Sequence, residues 1–149
     1  MKTLLTLLIC VLAASLFAQQ PADEEGRSRF RAVDIYVDSK SAPLAAYQLK
    51  FSATNSAIKI VGIEGGEHPA FREPPFYDPK AIQNERVIIA AFSTASKEQL
   101  PIGKTRVATI HIYISDDVEP RYQMKLQTSA GPDGVKIAAD AAFEERKNR

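Results

Sequence analysis

Residues 64–79, EGGEHPAFREPPFYDP, gather the side chains of this chain best equipped for chemistry: His68, with Glu64, Glu67, Glu73 and Asp78 around it. An imidazole among carboxylates is a donor set that suits zinc or manganese. The spacing works against that reading. Pro69, Pro74 and Pro75 exclude the regular helix that presents an HExxH-type pair on one face, and no cysteine stands nearby. The other histidine, His111, falls on the outward positions of an alternating run beside Thr109 and Tyr113, where a sheet-surface residue is the simpler reading. No G-x-S-x-G elbow occurs, and the single cysteine, Cys10, lies in an apolar N-terminal run. Asp116 and Asp117 sit in a turn, where acids are ordinary. GPDG at 131–134 reads as a hairpin turn rather than a phosphate loop, because no Lys-Ser/Thr and no helix follows. The residues therefore predict a non-enzymatic chain, with no catalytic site, no metal and no cofactor.

What the stretch offers instead is Phe71, Phe76 and Tyr77, stiffened by neighbouring prolines. Rings held in this way provide flat contact area at low entropic cost, as binding loops do. Rings in a long loop of a small domain also close the open end of a sandwich, because fully exposed ones invite aggregation. Both readings stand on the sequence, and they differ in whether the three rings point in or out. Sugar stacking by Tyr77 and its neighbours is the alternative binding chemistry, weakened by the absence of tryptophan.

The elements that must position these residues alternate with period two. In RFRAVDIYVD, Val33, Ile35 and Val37 share one face, opposite Ala32, Asp34 and Tyr36. In AAYQLKFSA, Tyr47, Leu49 and Phe51 alternate with Ala46, Gln48, Lys50 and Ser52. IKIVGIE sets Ile58, Ile60 and Gly62 against Lys59, Val61 and Ile63, with both faces fairly apolar. RVIIAAFS is a compact β-branched run. RVATIHIYIS points Ala108, Ile110, Ile112 and Ile114 to the core and Val107, Thr109, His111 and Tyr113 outward. RYQMKLQT alternates Tyr122, Met124 and Leu126 with Gln123, Lys125 and Gln127, and VKIAA is a last short strand. Seven strands follow, with an eighth inside the long loop and no helix, which defines an all-β antiparallel sandwich.

The two ends read differently. MKTLLTLLICVLAASLFA, residues 1–18, has a basic start at Lys2, an apolar run from Leu4 to Leu12, and Leu16 and Ala18 before a cleavage point at Gln19. That is a secretory signal peptide, too short for a stable membrane span. A flexible polar leader is expected over 19–29, the domain over 30–140, and a polar tail over 141–149, where DAAFEERKNR has helix-forming composition but only Phe143 to bury. Of 19 basic residues, loss of Lys2 with the signal leaves 18 against 18 acids. A balanced charge gives no electrostatic reason to expect nucleic acid or an anionic membrane as partner. Loss of Cys10 leaves no thiol for a disulfide, so stability rests on a packed core.

Taken in order, AVDIYVDS, then LAAYQLKFSATNSAIKIVGIEGGE, RVIIAAFS, GKTRVATIHIYI and DGVKI resemble a cohesin domain. The features that carry the resemblance are the alternating strand Tyr47 to Phe51, the I-x-I-V-x-I-E-G run from Ile58 to Gly65, and G-x-x-x-V-A-T-I from Gly103 to Ile110. It spans residues 30–139. The resemblance implies a flattened jelly-roll β-sandwich of about nine strands, close to some carbohydrate-binding modules. It also implies binding of a dockerin domain through one sheet face, in the assembly of extracellular enzyme complexes. The asparagine and aspartate that many cohesins carry on the dockerin-contacting strand correspond to Leu44 and Ala46. The expectation is thus an exported binding module, secreted or periplasmic, that recognises a secreted or envelope protein. Its contacts would run through a sheet face bearing Gln48, Lys50 and Ser52, or through the loop bearing His68, Phe71, Phe76 and Tyr77. The alternative is a polysaccharide held by the loop aromatics.

Overall fold

Alternating apolar residues give each strand one face to bury, and two sheets closing on each other is how such strands dispose of it. The computed structural model describes residues 29–54, 58–115 and 119–146. Its strands are β1 (Arg29–Asp38), β2 (Ala46–Ala53), β3 (Ile58–Gly65), β4 (Phe76–Tyr77), β5 (Arg86–Phe92), β6 (Lys104–Ile114), β7 (Tyr122–Ala130) and β8 (Asp140–Glu145). Short 3₁₀ turns stand at Pro69–Phe71, Pro79–Ala81 and Lys97–Gln99. The first sheet runs β3-β6-β1-β8 and the second β4-β5-β2-β7, with every pairing antiparallel. This is the antiparallel sandwich expected, with β4 as the strand inside the long loop. The signal segment 1–18, the leader up to residue 28 and the acids Asp116 and Asp117 lie outside the described residues.

Val33, Ile35 and Val37 of β1 and Ile110, Ile112 and Ile114 of β6 are buried against Leu49 and Phe51 of β2 and Val87 and Ile89 of β5. The alternation expected for β1 and β2 holds along their lengths, and that of β7 holds from Tyr122 to Gln127, where a bulge makes Gln127 and Thr128 both exposed. Two expectations of facing are corrected by β-bulges, which insert one extra residue and reverse the parity beyond it. Ile35 pairs with Ala108 and Tyr36 with Arg106, so Val107 is the extra residue on β6 and is buried rather than outward. Its carbonyl is reached from the opposite sheet by the buried Tyr47, whose hydroxyl donates to Val107 O at 3.1 Å. On β3, Ile60 pairs with Ile112 and Gly62 with His111, leaving Val61 extra. Ile63 therefore faces the core in place of Gly62.

The C-terminal expectation is also corrected. VKIAA forms only an isolated bridge, Lys136 to Ala130. The polar run after it is strand β8, so the sheet extends past residue 140, where a tail was expected. Period-two hydrophobicity does not mark β8 because polar contacts hold it. Phe143 stands edge-on to Tyr122 at 5.6 Å, and Glu145 accepts from the Tyr122 hydroxyl at 3.0 Å and pairs with Arg31. On the outer face Lys104 reaches Glu144 at 2.6 Å.

Asp34 closes this arrangement from beneath. It is buried on the outer face of the first sheet and accepts from Arg146 Nε at 2.8 Å, Arg146 Nη2 at 2.7 Å and Thr109 Oγ1 at 2.7 Å. Burial alone would raise its pKa. The hydrogen bonds from Arg146 and Thr109, with the charges of Arg146 and Arg106, outweigh burial and hold the carboxyl below its ordinary value. A lowered folded pKa means stability that is present above the unfolded value, about 3.9, and lost as pH falls through the folded one. Asp34→Asn is accordingly expected to lose about 2–3 kcal/mol at neutral pH, the scale of charge-assisted hydrogen bonds. The gap to wild type should narrow once the wild-type carboxyl is protonated. Urea unfolding at pH 7 and at successively lower pH checks this, and a gap independent of pH would refute the ion-pair account.

Candidate binding face

The long connection between β3 and β4 is built tightly at its start and opens at its end. Gly66 N–H donates to Phe71 O at 2.7 Å, and Glu67 N–H to Arg106 O at 3.1 Å. His68 Nδ1 accepts from Ala70 N–H at 3.2 Å and caps the first 3₁₀ turn. Asp78 caps the second, accepting from Lys80 N–H at 2.9 Å. Glu67 Oε1 likewise accepts from Arg106 N–H at 3.2 Å, so the histidine and two of the acids that suggested metal chemistry direct acceptors to the backbone. Among the described residues no three His, Cys, Asp or Glu side chains gather as a metal site. His111 lies half-buried on the outer face of the first sheet, with Nε2 3.0 Å from Glu64 Oε1 but outside hydrogen-bond geometry.

The three aromatics separate. Phe71 is 2% exposed and stands edge-on to Tyr47 with ring centres 5.4 Å apart, closing one end of the sandwich. Phe76 pairs with Ala90 and Tyr77 with Ile89, so the two-residue strand β4 sends its side chains to opposite faces. Tyr77 turns inward, half-buried against the core. Phe76 turns outward, 68% exposed, and stacks at 6.0 Å and 11° on Phe92, itself 64% exposed. The loop is therefore a plug at Phe71 and an exposed ridge at Phe76.

That ridge continues across the outer face of the second sheet. Register places Phe92 opposite Ala46, Gln48 between Thr128 and Ala90, Lys50 between Lys125 and Ile88, and Ser52 between Gln123 and Arg86. Ile88 is 47% exposed. Gln48 Nε2 donates to Gln127 Oε1 at 3.0 Å, which orients the amide along the sheet. One groove beside Phe76 is lined by Tyr77, Asp78, Lys80, Glu85, Arg86 and Ile88, and another on its far side by His68, Glu73, Pro74, Phe92 and Ser93. Gln48, Lys50, Ser52 and Phe76 thus share one surface, with His68 at its margin. Phe71 and Tyr77 belong to the interior side of the sheet. Leu44 is buried, whereas Ala46 lies on this outer face.

Ile88 and Phe92 were missing from the residues singled out in the sequence. Their signal was present in RVIIAAFS, which is apolar on both parities. In an antiparallel sandwich with one solvated face, that pattern leaves an apolar row facing water.

The fold is shared with cohesins. A type I cohesin of Clostridium thermocellum, solved in a cohesin–dockerin complex, is similar over 74% of this chain and 82% of its own, at 13% identity and a TM-score of 0.56. A type I cohesin from Pseudobacteroides cellulosolvens is similar over 76% of each chain, at 11% identity and a TM-score of 0.54. A non-cellulosomal cohesin from the archaeon Archaeoglobus fulgidus is similar over 76% of this chain and 75% of its own, at 8% identity and a TM-score of 0.54. The sequence matches no protein-family model, and no curated protein matches it. The chain is therefore an all-β sandwich with a cohesin-like fold.

Proposed function

We propose that this protein is a non-enzymatic module that binds another protein through the outer face of β4-β5-β2-β7. The observation that carries the proposal is the exposed, contiguous row of Phe76, Phe92 and Ile88 beside Gln48, Lys50 and Ser52. Large rings on a solvated sheet face have no packing role within the domain, and aromatic residues surrounded by polar ones are the composition of a recognition surface. Cohesins of this fold have been solved with dockerins, which supports a small protein domain as the class of partner. The sequence of residues 1–18 supports export, so the partner would be met in the envelope or outside the cell.

The test uses the chain without its signal segment, immobilised and exposed to an envelope extract of its own cell. A protein should be retained by wild type and lost from the Phe76→Ser/Phe92→Ser double variant. For the purified partner the Kd should rise at least ~30-fold, the scale of a hot-spot pair. The variant's urea midpoint should match wild type. Equal retention by both forms would overturn the face assignment. Retardation in polysaccharide gels with no protein retained would establish the carbohydrate reading instead.

A further inference from the structure

The charges on the docking face are arranged differently from those elsewhere. The outward positions of its four strands hold three cations, Lys50, Lys125 and Arg86, and no carboxylate. Lys50 and Lys125 are direct cross-strand partners. Like charges directly opposite on neighbouring strands destabilise a sheet. Among the described residues neither lysine forms an ion pair that would offset this. On the outer face of the other sheet, by contrast, cations meet carboxylates: Lys104 with Glu144 at 2.6 Å and Arg146 with Asp34 at 2.7 Å. Among the described residues of a chain with nearly balanced formal charge, +1, acids are absent from the outward strand positions of this face, and Asp78 and Glu85 stand in the lining of the groove beside it.

The apolar residues adjoin these cations. Lys125, Lys50 and Ile88 form one row across three strands, and Arg86 lines the groove that Phe76 and Ile88 wall. Adjacent strands lie about 4.8 Å apart, close to the 5–6 Å between residues one helical turn apart. An apolar side chain seated in the groove would therefore place acids of the same segment over Lys50 and Lys125. A bare polyanion would use the lysines but gain nothing from the exposed phenylalanine pair.

Resting on the docking reading above, we infer that the partner is a protein segment pairing an apolar anchor with acidic residues. The anchor enters the groove between Phe76 and Ile88, and the acids meet Lys50, Lys125 and Arg86. The like-charge pair is then a feature the free protein tolerates because the partner neutralises it.

The probe is a phage-displayed library of random 12-residue peptides, panned on the full chain without its signal segment. Enriched peptides should carry a large apolar residue beside two or more Asp or Glu, and their binding should weaken about tenfold or more as salt is raised from low to physiological strength and above. Lys50→Glu should abolish that binding and raise the thermal midpoint, since the new side chain faces Lys125. Lys50→Glu/Lys125→Glu should select Lys- or Arg-bearing peptides instead. Peptides without acidic bias whose binding is lost in Phe76→Ser would overturn the acidic partner and leave the docking face standing. An empty selection, or peptides indifferent to all of these variants, would overturn both. Retention of heparin or phosphatidylserine vesicles with equal affinity by wild type and Phe76→Ser, without acidic peptides, would replace the protein partner with a polyanion.

Discussion

Phe71→Ala is expected to cost about 3–5 kcal/mol of folding stability, while Phe76→Ala, five residues on, shifts it by no more than ~0.5 kcal/mol. Phe71 is 2% exposed and Phe76 is 68% exposed. Removing the Phe71 ring leaves a cavity over Tyr47, whose hydroxyl is held by Val107 O at 3.1 Å and cannot follow the vacated space without breaking that bond. The backbone beneath Phe71 is fixed as well, since its carbonyl accepts from Gly66 N–H at 2.7 Å. Collapse around the deletion is thereby limited, which is the condition for the upper part of the range. Phe71→Leu keeps most of the volume and should cost only about 1 kcal/mol. Against a total stability of about 5–15 kcal/mol, the alanine variant would be partly unfolded at modest urea. Urea midpoints at constant m-value decide it. Equal midpoints for Phe71→Ala and Phe76→Ala would mean that the ring at 71 is no plug.

Which of Phe76 and Tyr77 faces outward could not be read in advance, and the reason is physical. Strand β4 is two residues long, so it has no period of its own. Which ring points inward is decided by its pairing with Ala90 and Ile89, residues that follow it in the chain. The longer strands were legible because alternation repeats over many residues: Tyr47, Leu49 and Phe51 are buried and Gln48, Lys50 and Ser52 outward, as their spacing predicts. Alternation failed where bulges intervened. Val107 looks like an outward residue until the register against β1 makes it the extra one, with its carbonyl satisfied from across the sandwich by Tyr47. Strand β8 failed differently, because its partners are Arg31 and Lys104, with Asp34 holding Arg146 just beyond it, all distant in sequence and polar. The same limit hid the binding face. Lys50 and Lys125 are plainly surface lysines in the sequence, but their opposition exists only once β2 and β7 are in register across the bulge at Gln48 and Leu49.

Gly65→Ala and Gly66→Ala should be among the most damaging single-methyl additions in the chain, each costing several kcal/mol or preventing folding, beyond the ~1–3 kcal/mol of ordinary overpacking. Neither glycine has a positive φ, so the demand is for space and not for a left-handed backbone. A Cβ on Gly65 would stand 1.9 Å from Arg72 O and 2.4 Å from the Arg72 carbonyl carbon. On Gly66 it would stand 2.2 Å from Arg106 O and 2.8 Å from Val107 Cα. These neighbours are main chain, and no rotamer change relieves the clash. Moving Arg72 drags Phe71 from the sandwich end, and moving Arg106 disturbs the β6 bulge, so the strain reaches the core from both sides. Two other glycines calibrate the effect. A Cβ on Gly62 would meet only His111 atoms at 3.8 Å, ordinary contact, so Gly62→Ala should melt within about 1 kcal/mol of wild type. Gly134 has open space around it but φ of +75°, so alanine there should cost about 1–2 kcal/mol through conformation alone. Thermal or urea unfolding of the four variants should rank Gly62→Ala mildest, Gly134→Ala next, and the 65 and 66 variants far below both. A Gly65→Ala protein that unfolds with wild type would show that the loop carrying Phe71 does not pack against the end of β3 as described.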